Sequence, residues 1–75
     1  MTKLPSLKSD RLIRALGRAG FRVHRTTGGH YFLKHPEKPR LLVVVPHHSR
    51  DIKRGVLHAI LRQAELSVRE LLELL

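Results

Sequence analysis

The sequence predicts an α+β fold of the order α-β-β-β-α: a three-stranded antiparallel sheet with helices on one face, followed by a short C-terminal helix. Three observations support it: apolar residues at helical spacing before Gly20, three short strand-like runs between positions 21 and 45, and a second helical stripe from Val56. A chain of 75 residues buries only about 60% of the surface that its unfolded form exposes. We therefore expect a single domain over residues 1–75.

The first helix is predicted between Ser9 and Gly20. Ser9 is of a type that favours the N-cap position, and Asp10 places negative charge at the positive end of the helix. Gly20 suits the C′ position that ends a helix. Residues 1–8 are expected to form an irregular lead. The apolar face of the helix consists of Leu12, Ile13, Leu16 and Ala19.

Three strands are predicted at residues 21–25, 30–35 and 41–45. Turn residues at 26–29 and a proline-bounded stretch at 36–39 connect them, and such short connections indicate an antiparallel meander. Double-stranded RNA-binding domains share this order of elements and read the shape of an RNA helix more than its sequence. The order alone is weak evidence for that function, because one fold serves many activities.

Two further helices are predicted in the C-terminal part of the chain. The second helix is expected to begin between Asp51 and Gly55. Ser67-Val68-Arg69-Glu70 has the spacing of a capping box, which indicates the start of a final short helix. The apolar stripe of the second helix consists of Val56, Leu57, Ile60, Leu61 and Ala64.

The charge balance favours a polyanionic partner. Fifteen Lys and Arg residues oppose six Asp and Glu residues, for a formal net charge of +9. Such a charge on so small a body attracts nucleic acid, which is the leading interpretation. An anionic membrane surface or a merely well-solvated basic surface are the alternatives.

The composition also predicts what the chain does not use. It has no cysteine, so disulfides and thiolate metal sites are excluded. The N-terminus lacks the apolar core of a signal peptide, and no apolar run approaches the roughly 20 residues of a membrane helix. We therefore expect a cytoplasmic protein that engages no membrane.

His30 is the strongest candidate for a catalytic residue. It follows Gly28-Gly29, a pair that permits positive φ and close approach of a ligand, and it begins a predicted strand. Histidine gives or takes a proton near neutral pH, and RNA cleavage needs a 2′-hydroxyl deprotonated and a 5′-oxygen protonated. The alternative is a histidine at a strand edge with no chemical role.

The other histidines are interpreted more simply. His47 and His48 are adjacent, but no carboxylate or cysteine lies nearby at metal-ligand spacing, so no metal site is expected. One of the two is expected to pack against or cap the next helix, and the other to face solvent or an RNA phosphate. His24, His35 and His58 are expected at the surface or at strand edges.

The predicted strands and their connections carry cations and two adjacent aromatic residues. Because neighbours on a strand point oppositely, one of Tyr31 and Phe32 is expected in the core and the other is available to stack on a base. The same alternation places His30 on the face of Phe32, which fits an exposed catalytic role poorly unless His30 lies before the regular pleat begins. The cations form either a phosphate-binding patch or a solvated face: Arg22, Arg25, Lys34, Lys38 and Arg40.

Three segments together resemble the HicA (YcfA-like) toxins over nearly the full chain. The first runs from Ser9 to Phe21 and ends in Arg-Ala-Gly-Phe. The second is Gly28–Pro36, which looks like the family's G-S-H segment and its closing H-P. The third is Val45-Pro46-His47-His48, followed by Gly55-Val56-Leu57 and residues 60–64. Each segment alone is a weak signal, but their order and spacing are specific.

The resemblance implies a dsRBD-like fold and a metal-independent mRNA endonuclease with no small-molecule cofactor, inhibited by a HicB-type antitoxin. The family's catalytic histidine falls on His30. Two departures are Gly29, where the family usually has serine, and Glu65, where it usually has glycine after the second helix. The RNA-binding residues expected around His30 are Arg22, Arg25, Gly28, Gly29, Lys34 and His48.

Three functional hypotheses follow. The first is a toxin that cuts mRNA with His30 as general acid and base. The second is a non-catalytic module that binds double-stranded RNA, which needs only charge and fold and is slightly favoured by the missing serine at Gly29. The third is a protein-interaction module whose basic face binds an acidic antitoxin.

Overall fold

Six elements follow one another in the predicted order in the computed structural model, which describes residues 3–75. Met1 and Thr2, the start of the predicted lead, lie outside the described residues. The fold class is confirmed as α-β-β-β-α-α with one antiparallel sheet. The elements are α1 (Ser9–Arg18), β1 (Arg22–Thr27), β2 (His30–His35), β3 (Lys38–Pro46), α2 (Arg54–Ala64) and α3 (Val68–Leu74).

The sheet has the order β1-β2-β3, and both edge strands are longer than predicted. β1 continues through Thr27, so the first turn is only Gly28-Gly29. β3 begins at Lys38, includes Pro39 and ends at Pro46. Prolines are tolerated there because β3 is an edge strand, in which only one side of the backbone pairs with a neighbour. The predicted connections at 26–29 and 36–39 were therefore too long.

The core lies between one face of the sheet and the three helices. Every second residue of β2 and β3 faces inwards, where Leu33, Val43 and Val45 are at most 1% exposed. No helix among residues 3–75 is both long and apolar enough to cross a membrane. The helices contribute Leu12 and Leu16 of α1, Leu57, Ile60 and Leu61 of α2, and Leu71 of α3.

Ser9 does not cap α1, contrary to the prediction. Lys8 occupies the N-cap position and provides no side-chain hydrogen bond to the helix. Ser9 is the first helical residue and is 1% exposed. Its hydroxyl donates to the Pro46 carbonyl oxygen at 2.5 Å, and it lies 3.4 Å from the amide of His48. The serine therefore ties the start of α1 to the end of β3, because a buried hydroxyl needs a hydrogen-bond partner.

The turn after α1 depends on Gly20, as predicted. Gly20 has a φ of 101°. Its amide donates to the carbonyl oxygen of Gly17 at 3.1 Å, and that of Phe21 donates to the carbonyl oxygen of Leu16 at 3.0 Å. These two bonds form a Schellman motif, which satisfies carbonyls that the helix end leaves free.

His35 is a buried structural residue, and its assignment to the surface or a strand edge was wrong. It is 8% exposed, and its ring packs edge-on against Phe21 with the centroids 5.1 Å apart. Nδ1 accepts from the Glu37 amide at 3.1 Å, and Nε2 lies 3.1 Å from the Ala19 carbonyl oxygen. A neutral ring protonated on Nε2 satisfies both contacts. His35 thus joins the end of β2 to the turn after α1.

We expect Gly20→Ala to destabilise the fold strongly and Gly17→Ala to stabilise it. A Cβ at Gly20 would lie 2.5 Å from Nε2 of His35, and the positive φ disfavours any L side chain. The combined cost is about 3 kcal/mol of the free energy of unfolding. A Cβ at Gly17 meets nothing within 4 Å, so alanine there contributes about 1 kcal/mol of helix propensity. Denaturant unfolding measures both, and equal stabilities would contradict the Gly20 argument.

Two polar contacts stabilise the chain around the end of α2 and the start of α3. Glu65 has φ 56° and ψ 40°, the left-handed geometry that glycine adopts most readily. Both its carboxylate oxygens accept from Arg40, at 2.7 and 2.8 Å, and this hydrogen-bonded ion pair lowers the pKa of Glu65. The capping box of α3 is confirmed, because Ser67 and Glu70 bond reciprocally at 2.9 and 3.0 Å. The amide of Ser67 lowers the pKa of Glu70, so this contact is lost as the pH falls through that lowered value.

Candidate functional site

The face of the sheet opposite the helices is uncovered. Residues directly paired across two strands project to the same side, so the pairing defines the members of this face. Three residues of β2 and their partners on β3 form its centre, with Leu42 44% exposed. We call this uncovered side of the sheet the open face. Its central pairs are His30 with Pro46, Phe32 with Val44, and Lys34 with Leu42.

A bulge in β1 brings two arginines to the open face. Arg22 pairs with Lys34 and Arg25 pairs with Phe32, with a register shift between Val23 and Arg25. In a regular strand, residues three apart point to opposite faces. The extra residue at the bulge restores the parity, so that both arginines share the face of Lys34. All three cations are exposed.

The two adjacent aromatic residues divide as predicted, and it is Phe32 that lies on the open face. The guanidinium carbon of Arg25 lies 4.6 Å from the Phe32 ring centroid, a cation–π distance. Tyr31 is partly buried against the core and packs edge-on against His47, with the centroids 4.6 Å apart. The open face therefore offers a cation and an aromatic ring side by side.

His30 is exposed at the start of β2, on the open face. Thr27 pairs with it on one side and Pro46 on the other. The His47 amide donates to the Gly29 carbonyl oxygen at 2.9 Å, which fixes the turn just before the histidine. The imidazole is therefore positioned by the sheet and accessible to a ligand. The shared face of His30 and Phe32 is compatible with an exposed role because that face is open.

The turn before His30 does not need glycine for its own geometry. Gly20 is the one glycine of the described chain with positive φ, so neither Gly28 nor Gly29 uses the left-handed freedom suggested by the sequence. A Cβ at either position would meet nothing within 4 Å. Both residues are exposed, and the space around them is open to a bound molecule.

His47 and His48 lie in different environments. His47 is exposed, with Nε2 3.7 Å from the Asp10 carboxylate. His48 is half-buried in a depression that also includes Arg50 and Lys53, and its Nδ1 is buried without a hydrogen-bond partner among residues 3–75. Across the same described residues, no three His, Asp or Glu side chains cluster as a metal site would require.

Two other cations of the predicted patch lie at β3. Arg40 is engaged with Glu65 and is not a free phosphate ligand. Lys38 is exposed at the start of the strand, opposite His35 in the register. The cations grouped with Phe32 on the open face are thus Arg22, Arg25 and Lys34.

A groove beside His30 was not anticipated from the sequence. It lies between β3 and α2 and has a volume of about 440 Å³. Val44 and Pro46 line it from the strand, and His30 also contributes to its lining. The groove could not be predicted from the apolar stripe of α2, because the residues at the margin of that stripe have the same spacing as core residues.

Comparison with known protein families supplies the deciding observation. Residues 9–66 match the family described as the HicA toxin of bacterial toxin–antitoxin systems. The chain belongs to the HicA toxin family. A search of curated protein sequences finds none that matches it. The protein is thus a toxin of a toxin–antitoxin system, which implies an antitoxin as its partner.

The family match covers the whole candidate site. It begins at Ser9, whose hydroxyl holds Pro46, and includes the open face and both walls of the groove. It ends at Leu66, before α3. In this HicA toxin the final helix, with its capping box and the buried Leu71, therefore lies outside the matched region.

Proposed function

We propose that this HicA toxin is an endoribonuclease that cuts mRNA with His30 as its proton-transfer residue, without a metal ion or a small-molecule cofactor. The observation that carries the proposal is the placement of His30: an exposed imidazole fixed at a strand start on the open face. Arg25 and Lys34 on the same face supply positive charge. The net charge of +9 favours encounter with RNA.

In the proposed reaction the RNA backbone binds along Arg22, Arg25 and Lys34, which places a phosphodiester beside His30. The neutral imidazole removes the proton of the adjacent 2′-hydroxyl, and the 2′-oxygen forms a bond to phosphorus. The cations stabilise the charge that develops on the phosphoryl oxygens. The bond from phosphorus to the 5′-oxygen then breaks, and this oxygen takes the proton from the imidazolium. The products are a 2′,3′-cyclic phosphate and a 5′-hydroxyl.

Gly28, Gly29 and His48 are proposed to complete the RNA contact. The open space around the two glycines admits a sugar-phosphate backbone close to His30. His48 follows Pro46 by two residues, and its depression shares Pro46 and Val56 with the groove beside His30. RNA leaving the open face past Pro46 would therefore meet His48 with Arg50 and Lys53.

The antitoxin is proposed to be of HicB type and to inhibit by covering the open face. Exposed Leu42 and the partly exposed Phe32 provide apolar contact there, with cations around them. An acidic partner complements this pattern and would exclude RNA by occupying the same surface.

Controlled expression and purified protein together test the proposed function. Expression of the toxin should arrest growth with loss of intact mRNA, and co-expression of the antitoxin should restore both. Purified toxin should cut RNA in the presence of EDTA. RNA binding that weakens with salt, without any cleavage product with or without added metal ions, would show a binding module instead of a nuclease.

We expect Gly29→Ser to fold normally and to raise the cleavage rate. A Cβ at this position meets nothing within 4 Å, and the hydroxyl can donate to a phosphate or orient the neighbouring His30. A hydrogen bond to a charged group corresponds to about a tenfold gain in rate. Gly17→Ser is the matched control, since a side chain there is also unhindered and Gly17 is exposed on α1, outside the candidate site. Single-turnover cleavage of a defined RNA measures both, and an unchanged rate for Gly29→Ser would contradict the expectation.

A further inference from the structure

The groove between β3 and α2 combines apolar walls with a glutamine side chain that keeps a free hydrogen-bond donor. Val44 and Pro46 line it from the strand, and Val56 and Ala59 line it from the helix. Val56 is 39% exposed, which is unusual for a valine on the apolar side of a helix. No part of the fold among residues 3–75 covers these residues fully. A flat apolar ligand is the kind of molecule that such walls accept.

Gln63 provides the polar group of the groove. The amide of Val44 donates to its Oε1 at 2.9 Å, so the oxygen is directed at the edge of the sheet. The amide nitrogen of Gln63 is left with two protons and makes no hydrogen bond within residues 3–75. It can therefore donate to an acceptor on a ligand that lies between the strand and the helix.

The position of the groove relates it to the proposed reaction. His30 is one of the residues that line it, so a nucleotide whose phosphate lies at the imidazole has its base within reach. Gly55 lines the groove near the start of α2, where Lys53 and Arg54 are exposed cations and Asp51 is the nearby acid. Cations therefore outnumber acids at this entrance, which suits the polyanionic chain attached to the base.

We propose that this groove is a nucleobase subsite that sets which nucleotide flanks the cut. The inference rests on the proposed nuclease function and goes beyond it, since it assigns the base preference to named residues. Val44, Pro46, Val56 and Ala59 contact the faces of the base, and the amide nitrogen of Gln63 donates to an acceptor on its edge. The volume of about 440 Å³ is in the range of small-ligand sites.

Two variants change the groove in different ways. Gly55→Leu adds bulk without a folding cost, because a Cβ there meets nothing within 4 Å and leucine favours the helix. Gln63→Glu keeps an oxygen for the Val44 amide and removes the free donor. His58→Leu is the control, since His58 is exposed on the same helix and does not line the groove. Each protein cuts a random-sequence RNA pool in EDTA, and the nucleotides around each cut are counted.

The wild-type toxin should enrich one base, or bases sharing an acceptor, at one flanking position by roughly five- to tenfold. The enrichment should fall towards that of the uncut pool in Gly55→Leu and Gln63→Glu and remain in His58→Leu. The same profile in all four proteins overturns the subsite. So does a Gly55→Leu toxin that resists its antitoxin but keeps the base preference, since the groove would then bind protein. Absence of any cutting by the wild type refutes the nuclease itself.

Discussion

His30→Ala should abolish RNA cleavage while leaving the fold and most of the RNA affinity intact. General acid–base catalysis by one side chain contributes about 10²- to 10⁴-fold in rate. His30 is exposed, so its truncation removes no core contact. The cations that bind phosphate lie on other residues, which is why binding should survive. Cleavage of a labelled RNA and its titration against the inactive protein measure the two properties separately.

His58→Ala is the matched control for this substitution. His58 is also an exposed histidine, but it lies on α2 and outside the candidate site. The His58→Ala variant should cut RNA and arrest growth like the wild type. If a folded His30→Ala variant were as toxic as the wild type, the assignment of His30 would be wrong. Circular dichroism and thermal unfolding establish that the variant is folded.

The double variant Arg25→Gln, Lys34→Gln should weaken RNA binding on the order of tenfold and flatten its salt dependence. Both cations lie on the open face next to Phe32. If each contacts one phosphate, the slope of log K against log salt should fall by about one for each cation removed. Fluorescence anisotropy at several salt concentrations gives the affinity and the slope from the same titrations.

Arg11→Gln, Arg14→Gln makes the same change of charge at a different place. Both arginines are exposed on α1, which packs on the covered side of the sheet. This variant should lose affinity for RNA only through the smaller net charge. The slope of its log K against log salt should stay close to that of the wild type. Equal losses in the two double variants would mean that RNA responds to the total charge and does not bind the open face.

The sequence predicts the elements of this fold well because their signals are local. The stripes of α1 and α2 follow the helical period, and the Ser67–Glu70 capping box fixes the start of α3. His30 stands out for a similar reason, since a glycine turn and a strand start are visible in a few neighbouring residues. The length of β3 was underestimated because Pro39 looks like a strand breaker until the strand is known to be an edge.

Features that depend on distant residues could not be predicted. His35 looks like any polar residue at the end of a strand. In the fold its ring packs against Phe21, and its Nε2 lies within hydrogen-bond distance of the Ala19 carbonyl oxygen. Ser9 is of a type that favours the N-cap position, yet its hydroxyl donates to the carbonyl oxygen of Pro46, 37 positions away. The bulge that places Arg25 beside Phe32 depends on how β1 pairs with β2. The groove exists only once α2 lies against β3.

The chemistry of the cut ends tests the central claim most directly. Purified toxin incubated with a defined RNA in EDTA should leave a 5′-hydroxyl on one fragment and a 2′,3′-cyclic phosphate on the other. These ends arise when the 2′-oxygen attacks phosphorus, which is the step that His30 is proposed to assist. The same reaction with His30→Ala should yield neither end. Fragments with 5′-phosphate ends, or wild-type ends from the variant, would contradict the account.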